Sequence, residues 1–258
     1  MTTPVCLTIA GSDSSGGAGI QADLRTFNYF KCYGTSVITA LTAQIPRKLS
    51  AIEAVSETLV AQQLSAVSSL NISAAKCGML LTKPIILCIV EAVKNADYPL
   101  IVDPVMIASS GKRLLEENAV DALVNDLLPQ AKLITPNIPE AEIIVGKTLA
   151  SLNEIEAAAL AYSETGPAIL IKGGHATDKD AVDVLAVKGE LTHFVAERLE
   201  IAESHGTGCT LSAAITANLA LGHSLPESIQ IAKDFVYKSL QNIQQIGDET
   251  FALYPPEK

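Results

Sequence analysis

Val5-Cys6-Leu7-Thr8-Ile9-Ala10 runs into Gly11-Ser12-Asp13-Ser14-Ser15-Gly16-Gly17-Ala18-Gly19, and Ile20, Leu24, Phe27 and Phe30 follow at helical spacing. A short apolar run stopped by glycine reads as a buried strand, and a 3–4 apolar spacing reads as a helix. The unit is therefore a strand, a loop of small residues and a helix. It is not a P-loop, because no Gly-Lys-Ser/Thr closes it, and its glycine spacing does not fit a dinucleotide fingerprint. In open α/β sheets, ligands gather where such a loop leaves a strand's carboxyl end.

The same alternation repeats along the chain. Runs 36–43, 74–80, 99–102, 132–134 and 168–171 read as strands. Segments 57–70, 84–94, 116–128, 151–163 and 226–241 read as helices, with Pro84 in a first turn. Residues 180–187 and 191–196 flank Lys188-Gly189-Glu190 and read as an antiparallel hairpin. The tail 247–258 reads as loose, with Phe251, Leu253 and Tyr254 available to dock it. Alternating strands and helices predict an α/β fold: a central, mostly parallel sheet with helices on both faces. No Pro/Ser-rich linker, charge block or low-complexity stretch divides the chain, so residues 1–258 read as a single domain.

Chemistry concentrates at the strand ends. Gln44 closes the 36–43 run, and its amide both donates and accepts, which suits an aminopyrimidine or pyridine edge; it reads equally as a solvated loop residue. Asp103-Pro104-Val105-Met106 puts a carboxylate at a strand end, which suits a metal- or phosphate-side role or a simple turn. In Thr135-Pro136-Asn137-Ile138-Pro139-Glu140, Asn137 and Glu140 have capping-box spacing, and the same pair suits a hydrated Mg²⁺. Lys172-Gly173-Gly174-His175 offers a point charge for phosphate. His205-Gly206-Thr207-Gly208-Cys209-Thr210 precedes an apolar helix. Gly206, Thr207 and Gly208 there read either as an anion hole built from helix N-terminal N–H groups or as a tight turn before a buried helix. Asp23 lies in the first turns of the first helix, either solvated or facing a pocket as a hydrogen-bond acceptor. Loops 11–19, 103–106, 135–140, 172–175 and 205–210 are expected to converge on one phosphate- or nucleotide-using cleft.

The bulk numbers narrow the partners. The chain has 258 residues, 48% of them hydrophobic, and a formal charge of −10. The cations form no run, so no nucleic-acid partner is expected, and an anion must be held by local N–H groups and a few placed cations. No secretory signal opens the chain, and no apolar stretch approaches the ~20 residues that span a bilayer, so no membrane role is expected. Five cysteines, odd in number and without metal-type spacing, point to a reduced cytoplasm. Cys6, Cys32, Cys77 and Cys88 read as small core residues; Cys209 alone has a setting able to lower a thiol pKa.

Taken together, the 11–23 loop, Val102-Asp103-Pro104-Val105-Met106, Thr135-Pro136-Asn137, Lys172-Gly173-Gly174-His175 and 205–212 resemble the hydroxymethylpyrimidine/phosphomethylpyrimidine kinases of thiamin biosynthesis, in the ribokinase-like fold. The resemblance runs from about residue 5 to residue 240, with the motifs in the family's order. It implies an ATP- and Mg²⁺-dependent kinase that phosphorylates 4-amino-5-hydroxymethyl-2-methylpyrimidine, then converts the monophosphate to the pyrophosphate. It also implies a cytoplasmic homodimer.

Carried over by position, the resemblance makes Gln44 and Asp23 the pyrimidine contacts, with Gly11, Met79 and Val105 lining the pocket. Asp103, Asn137 and Glu140 become the Mg²⁺/phosphate side and Lys172 the triphosphate lysine. Cys209 takes the catalytic-base position, where the wider ribokinase-like fold usually carries aspartate. A pyridoxal kinase of the same fold is the nearest rival, since a glutamine amide can turn to suit either ring. A catalytically silent vitamin-binding protein is the rival from another class. Residues 108–112 and 176–180 are small and polar enough to form lids.

Overall fold

The computed structural model describes residues 2–107, 111, 113–173, 180–199, 205–248 and 250–257. Among these residues, nine strands form one sheet in the order β3-β2-β1-β4-β5-β6-β7-β8-β9. The parallel core is β2 (Tyr33–Ile45), β1 (Val5–Asp13), β4 (Ile72–Cys77), β5 (Leu100–Val102), β6 (Leu133–Ile134) and β7 (Ala168–Ile171). Antiparallel strands close both sides: β3 (Lys48–Ala54) on β2, and β8 (Asp180–Val187) with β9 (Glu190–Glu197) beyond β7.

Alternation along the strands splits the core into two layers. Leu7, Ile9, Leu100, Val102, Ile134, Ile169 and Ile171 face one layer. Helices α2 (Glu57–Val67), α3 (Lys83–Val93), α5 (Ile138–Val145) and α6 (Leu152–Thr165) cover it. Cys6, Ile101, Leu133 and Leu170 face the other. That side is covered by α1 (Gly19–Tyr29), α7 (Thr207–Ala220) and α8 (Leu225–Gln241). Helix α7 is sandwiched between sheet and α8, which explains why it is apolar on every side: Leu211 through Asn218 are all buried.

Several sequence expectations change. Residues 117–130 do not form one helix; a 3₁₀ turn leads into the single turn α4 (Val120–Ala122), then a π turn and a second 3₁₀ turn, Leu128–Gln130, with Pro129 inside it. Strand β3 escaped notice because its side chains are mostly exposed and carry little apolar alternation. The tail is not loose: β10 (Gln244–Gly247) pairs with β11 (Thr250–Ala252), and Leu253 is buried. Asp180, assigned to a lid, begins β8, while residues 108–110, 112 and 176–179 lie outside the described residues. Cys6, Cys32 and Cys77 are buried and Cys88 half-buried, and all are free thiols.

The sheet order fixes where a ligand can sit. From β1 the chain moves one way to β2 and β3, then returns to the other side at β4. The crevice between the carboxyl ends of β1 and β4 is the topological switch point. Gly11 sits at an irregularity near the carboxyl end of β1, Gly78-Met79 follow β4, and the Met79 side chain fills the space beside Gly11. A Cβ on Gly11 would lie 2.2 Å from Met79 Cε.

Candidate active site

Helix α7 points its N-terminus at the sheet's carboxyl edge. Gly206 is its N-cap, at φ +85°, and no side chain caps it. Any Cβ there would also lie 1.9 Å from the Gly17 carbonyl oxygen, so glycine is required twice over. The N–H groups of Gly208 and Cys209 thus open the helix, where the dipole favours an anion.

A cation–anion pair stands in front of that helix end. Lys172 Nζ lies 2.9 Å from Asp103 Oδ1. Thr135 Oγ1 donates to the same oxygen at 3.2 Å. A Cβ on Gly208 would be 3.5 Å from both Lys172 Nζ and Asp103 Oδ2. Burial alone would lower the lysine's pKa, but Asp103 and Glu140 outweigh it and raise it, so Lys172 stays charged. Asp103, Thr135 and Lys172 end β5, β6 and β7, so three parallel strands deliver one cluster.

Asn137 and Glu140 do form the capping box. The Asn137 side chain accepts from the Glu140 N–H at 2.9 Å, and Glu140 Oε2 accepts from the Asn137 N–H at 2.9 Å. Glu140 Oε1 faces the Met106 N–H at 3.4 Å. Burial pushes the Glu140 carboxyl up to about 7; Lys172 opposes this and Asp103 adds to it. Among the described residues, no group of three His, Cys, Asp or Glu side chains is poised around a metal. Asp103 Oδ2, however, accepts no protein hydrogen bond there, while Oδ1 and both Glu140 oxygens are engaged. One free carboxylate oxygen beside an anion site fits a Mg²⁺ held mainly by phosphates and water.

Asp23 corrects an expectation. It is fully buried and bonds Thr8 Oγ1 at 2.6 Å and Lys76 Nζ at 2.8 Å, so both oxygens are occupied below the cleft floor. A group with no exposed surface is not a pyrimidine contact. Lys76, also fully buried, is the reason it is there, since a buried ammonium needs a partner. The signal was readable: a lone lysine in Ala74-Ala75-Lys76-Cys77, inside an apolar strand.

Cys209 is half-buried in the first turn of α7. Its thiol is not lowered as the helix position suggested. Burial pushes it up to about 11; Lys76 pulls down, while Asp23 and Asp103 push up. The electropositive helix end is outweighed by desolvation and two neighbouring carboxylates.

At the other end of the cleft, Asp13 is a hub that sequence reasoning left unassigned. Oδ1 accepts from the Ser15 N–H and hydroxyl, both at 2.8 Å. Oδ2 accepts from the Ala18 N–H at 2.8 Å and lies 2.9 Å from His205 Nε2. Burial alone would raise this carboxyl's pKa, but the His205, Ser15 and Gln44 side chains together hold it down to about 2. Aspartate followed by Ser-Ser-Gly is a turn signal that would have found it. Ser14 Oγ both donates to the Gln44 carbonyl and accepts from its N–H, each at 2.9 Å. Gln44 is thereby clamped at the carboxyl end of β2. Val105, half-buried, sits on the turn after Asp103, its N–H bonded to the Asp103 carbonyl at 2.8 Å.

Four loops therefore meet where expected, and the first joins them through Asp13 and His205. Gly174 and His175 lie outside the described residues. Among the described residues, no helix is long and apolar enough to cross a membrane.

Comparison with known proteins gives the same picture. Residues 13–253 match the family model described as phosphomethylpyrimidine kinase. A hydroxymethylpyrimidine/phosphomethylpyrimidine kinase of Rhizobium meliloti (strain 1021) is 45% identical over 242 residues, covering 92% of this chain and 91% of the relative. The crystal structure of a phosphomethylpyrimidine kinase from Clostridium difficile 630 is 42% identical, with a TM-score of 0.81, over 91% of this chain and 98% of that one. A pyridoxal kinase from Staphylococcus aureus in complex with ADP is 31% identical, with a TM-score of 0.90, over 98% of this chain and 94% of that one. The fold is thus the ribokinase-like one these proteins share.

Proposed function

The chain belongs to the phosphomethylpyrimidine kinase family, and from that membership we propose that it phosphorylates 4-amino-5-hydroxymethyl-2-methylpyrimidine to its monophosphate and then to the pyrophosphate, using ATP. The observation that carries this reading is the meeting of Lys172, Asp103 and the N-terminus of α7 beyond the carboxyl ends of the parallel strands, with the Gln44 backbone held by Ser14 at the carboxyl end of β2.

In the first step the substrate hydroxyl oxygen bonds to the γ-phosphorus, the bond from that phosphorus to the β–γ bridging oxygen breaks, and ADP departs. Such transfers have a loose transition state, so positioning and charge stabilisation carry most of the rate. Lys172 and the Gly208 and Cys209 N–H groups stabilise the transferring phosphoryl oxygens. Asp103, with Asn137 and Glu140 behind it, is the side chain that would hold a Mg²⁺ bound with the nucleotide, and the ion would supply further charge neutralisation there. Cys209 Sγ, as thiolate, takes the hydroxyl proton. In the second step the nucleophile is a phosphate oxygen, which has no proton to surrender.

The reading covers residues 1–258 as one kinase domain working as a cytoplasmic homodimer. Cysteines that are free thiols support the compartment. Tyr33, Leu41 and Ile45, all on β2 and each more than half exposed, support the dimer.

A mass-resolved product assay tests the function. Hydroxymethylpyrimidine and pyridoxal are supplied in parallel with ATP and Mg²⁺. Mono- and then diphosphorylated pyrimidine is the expected result. Phosphate on pyridoxal alone would overturn the substrate, and transfer to neither would leave a vitamin-binding protein.

A further inference from the structure

We infer that Asp183 is a positioning residue for Lys172: held by Lys233, it takes the Gly173 N–H and so fixes the direction in which the Lys172 side chain leaves the backbone. The inference rests on the function proposed above and deepens it, by saying what aims the cation at the nucleotide.

The ladder of β7 stops at Ile171, which pairs with Val184 of β8. Gly173 lies just beyond and is buried, so its N–H needs an acceptor. Asp183 Oδ1 accepts it at 3.0 Å. Asp183 Oδ2 accepts from Lys233 Nζ at 2.6 Å, and the same ammonium donates to the Ala181 carbonyl at 3.1 Å. The two backbones run so close that a Cβ on Gly173 would collide with the Val182 carbonyl oxygen. On the other side, the Lys172 N–H donates to the Pro136 carbonyl at 2.9 Å. Both peptide groups that flank the Lys172 Cα are therefore tied, one to the segment after β6 and one to β8.

Packing alone does not ask for this pair. Apolar residues of similar volume often replace a buried ion pair at little cost in stability. What they cannot do is accept the Gly173 N–H. A carboxylate held by an ammonium does so through a charge-assisted bond of defined direction. Lys233 also relates the two halves of the phosphate site. It stands on α8, whose Ile229, Ala232 and Phe235 share one core with Leu211, Ala214 and Ile215 of α7. The helix that backs α7 thus also holds the carboxylate that aims the lysine. A displacement of about 1 Å at such a site can cost on the order of 10²-fold in rate.

The test compares two double variants, Asp183→Leu/Lys233→Met and Asp183→Asn/Lys233→Met, each made in the wild-type and in the Lys172→Met protein. Both remove the two charges, and leucine and asparagine are close in shape, but only asparagine keeps an oxygen for Gly173. The readings are kcat/KM for ATP and affinity for a non-hydrolysable ATP analogue with Mg²⁺. The leucine variant is expected to lose at least about tenfold in kcat/KM for ATP and about fivefold in affinity, with KM for the pyrimidine within about twofold of wild type. The asparagine variant is expected to stay within about threefold of wild type in both readings. In the Lys172→Met protein, exchanging asparagine for leucine should change either reading by less than about twofold, because no cation remains to be aimed. Equal ATP kinetics in the two variants overturn the inference. So does the same loss with and without Lys172, which would mark a purely structural pair. Should either double variant not fold, Asp183→Ser is compared in the two Lys172 backgrounds: loss confined to the protein that keeps Lys172 supports the inference, and equal loss overturns it. A wild type that binds the analogue but phosphorylates no pyrimidine overturns the proposed function alone, and the affinities then decide the inference. A wild type that binds no nucleotide overturns both.

Discussion

Lys172 Nζ and Asp103 Oδ1 are 2.9 Å apart, and both groups border the spot that a side chain on Gly208 would occupy. The lysine proposed for phosphate is thus paired with a carboxylate. The pairing keeps a largely buried ammonium charged and aimed, and makes Lys172 answerable to two anions at once.

Replacing Lys172 by methionine removes the cation and leaves Asp103 buried against an apolar chain. Turnover is expected to fall on the order of 10²–10³-fold, with a raised KM for ATP and a smaller effect on KM for the pyrimidine. Initial rates with each substrate varied in turn check this. Normal ATP kinetics in the variant would remove Lys172 from the phosphate site.

The Cys209 thiol, pushed up to about 11, is protonated at neutral pH. If its thiolate takes the substrate proton, the first phosphorylation should quicken by up to about tenfold per pH unit between pH 7 and 9, as the thiolate fraction grows. Cys209→Ala should lose much of that step and flatten its profile, while the second phosphorylation loses less. Parallel assays from each starting pyrimidine give both profiles. Equal losses on the two steps would argue against the base assignment.

How much of this was legible depended on whether the signal was local. Strands such as 168–171 and helices such as 84–94 announce themselves by apolar period; the structure keeps the ends of the first and moves those of the second by one residue. Asp103, Lys172 and Gly206 were visible because each stands at a strand or helix end with glycine or proline beside it. Asp23 was misread because its partner, Lys76, is 53 residues away, and no periodicity reports a pairing between elements. Cys209 was misjudged for a related reason: the helix end is written locally, but the desolvation and the Asp23 and Asp103 carboxylates that outweigh it come from other elements. His205 opened a quoted motif, yet its bond to Asp13 spans 192 residues.

The Lys76–Asp23 pair is fully buried on both sides. Lys76→Met leaves an uncompensated carboxylate in the core, and stability is expected to fall by about 3–5 kcal/mol. Adding Asp23→Leu should recover most of that loss, since replacing a whole buried pair by apolar groups is often near neutral. Urea unfolding of the wild type, single and double variants measures the cycle. Additive losses in the double variant would mean that the two charges do not depend on each other.

Glu140 offers a test of how the site's charge is linked to folding. Its carboxyl sits at about 7 in the fold against an ordinary 4.5. The folded protein therefore holds this proton more tightly than the unfolded chain does. The contribution to stability is full below pH 4.5 and is lost as pH rises through 7. At about 1.4 kcal/mol per pKa unit the loss is on the order of 3 kcal/mol. Glu140→Gln cannot ionise, yet glutamine still serves the third position of a capping box, so the helix start at Asn137 survives. Relative to the wild type, the variant should gain stability between pH 5 and pH 8, as read by urea unfolding at both pH values. Curves that stay parallel would mean that Lys172 already compensates the Glu140 charge, and that this carboxyl does not link folding to pH.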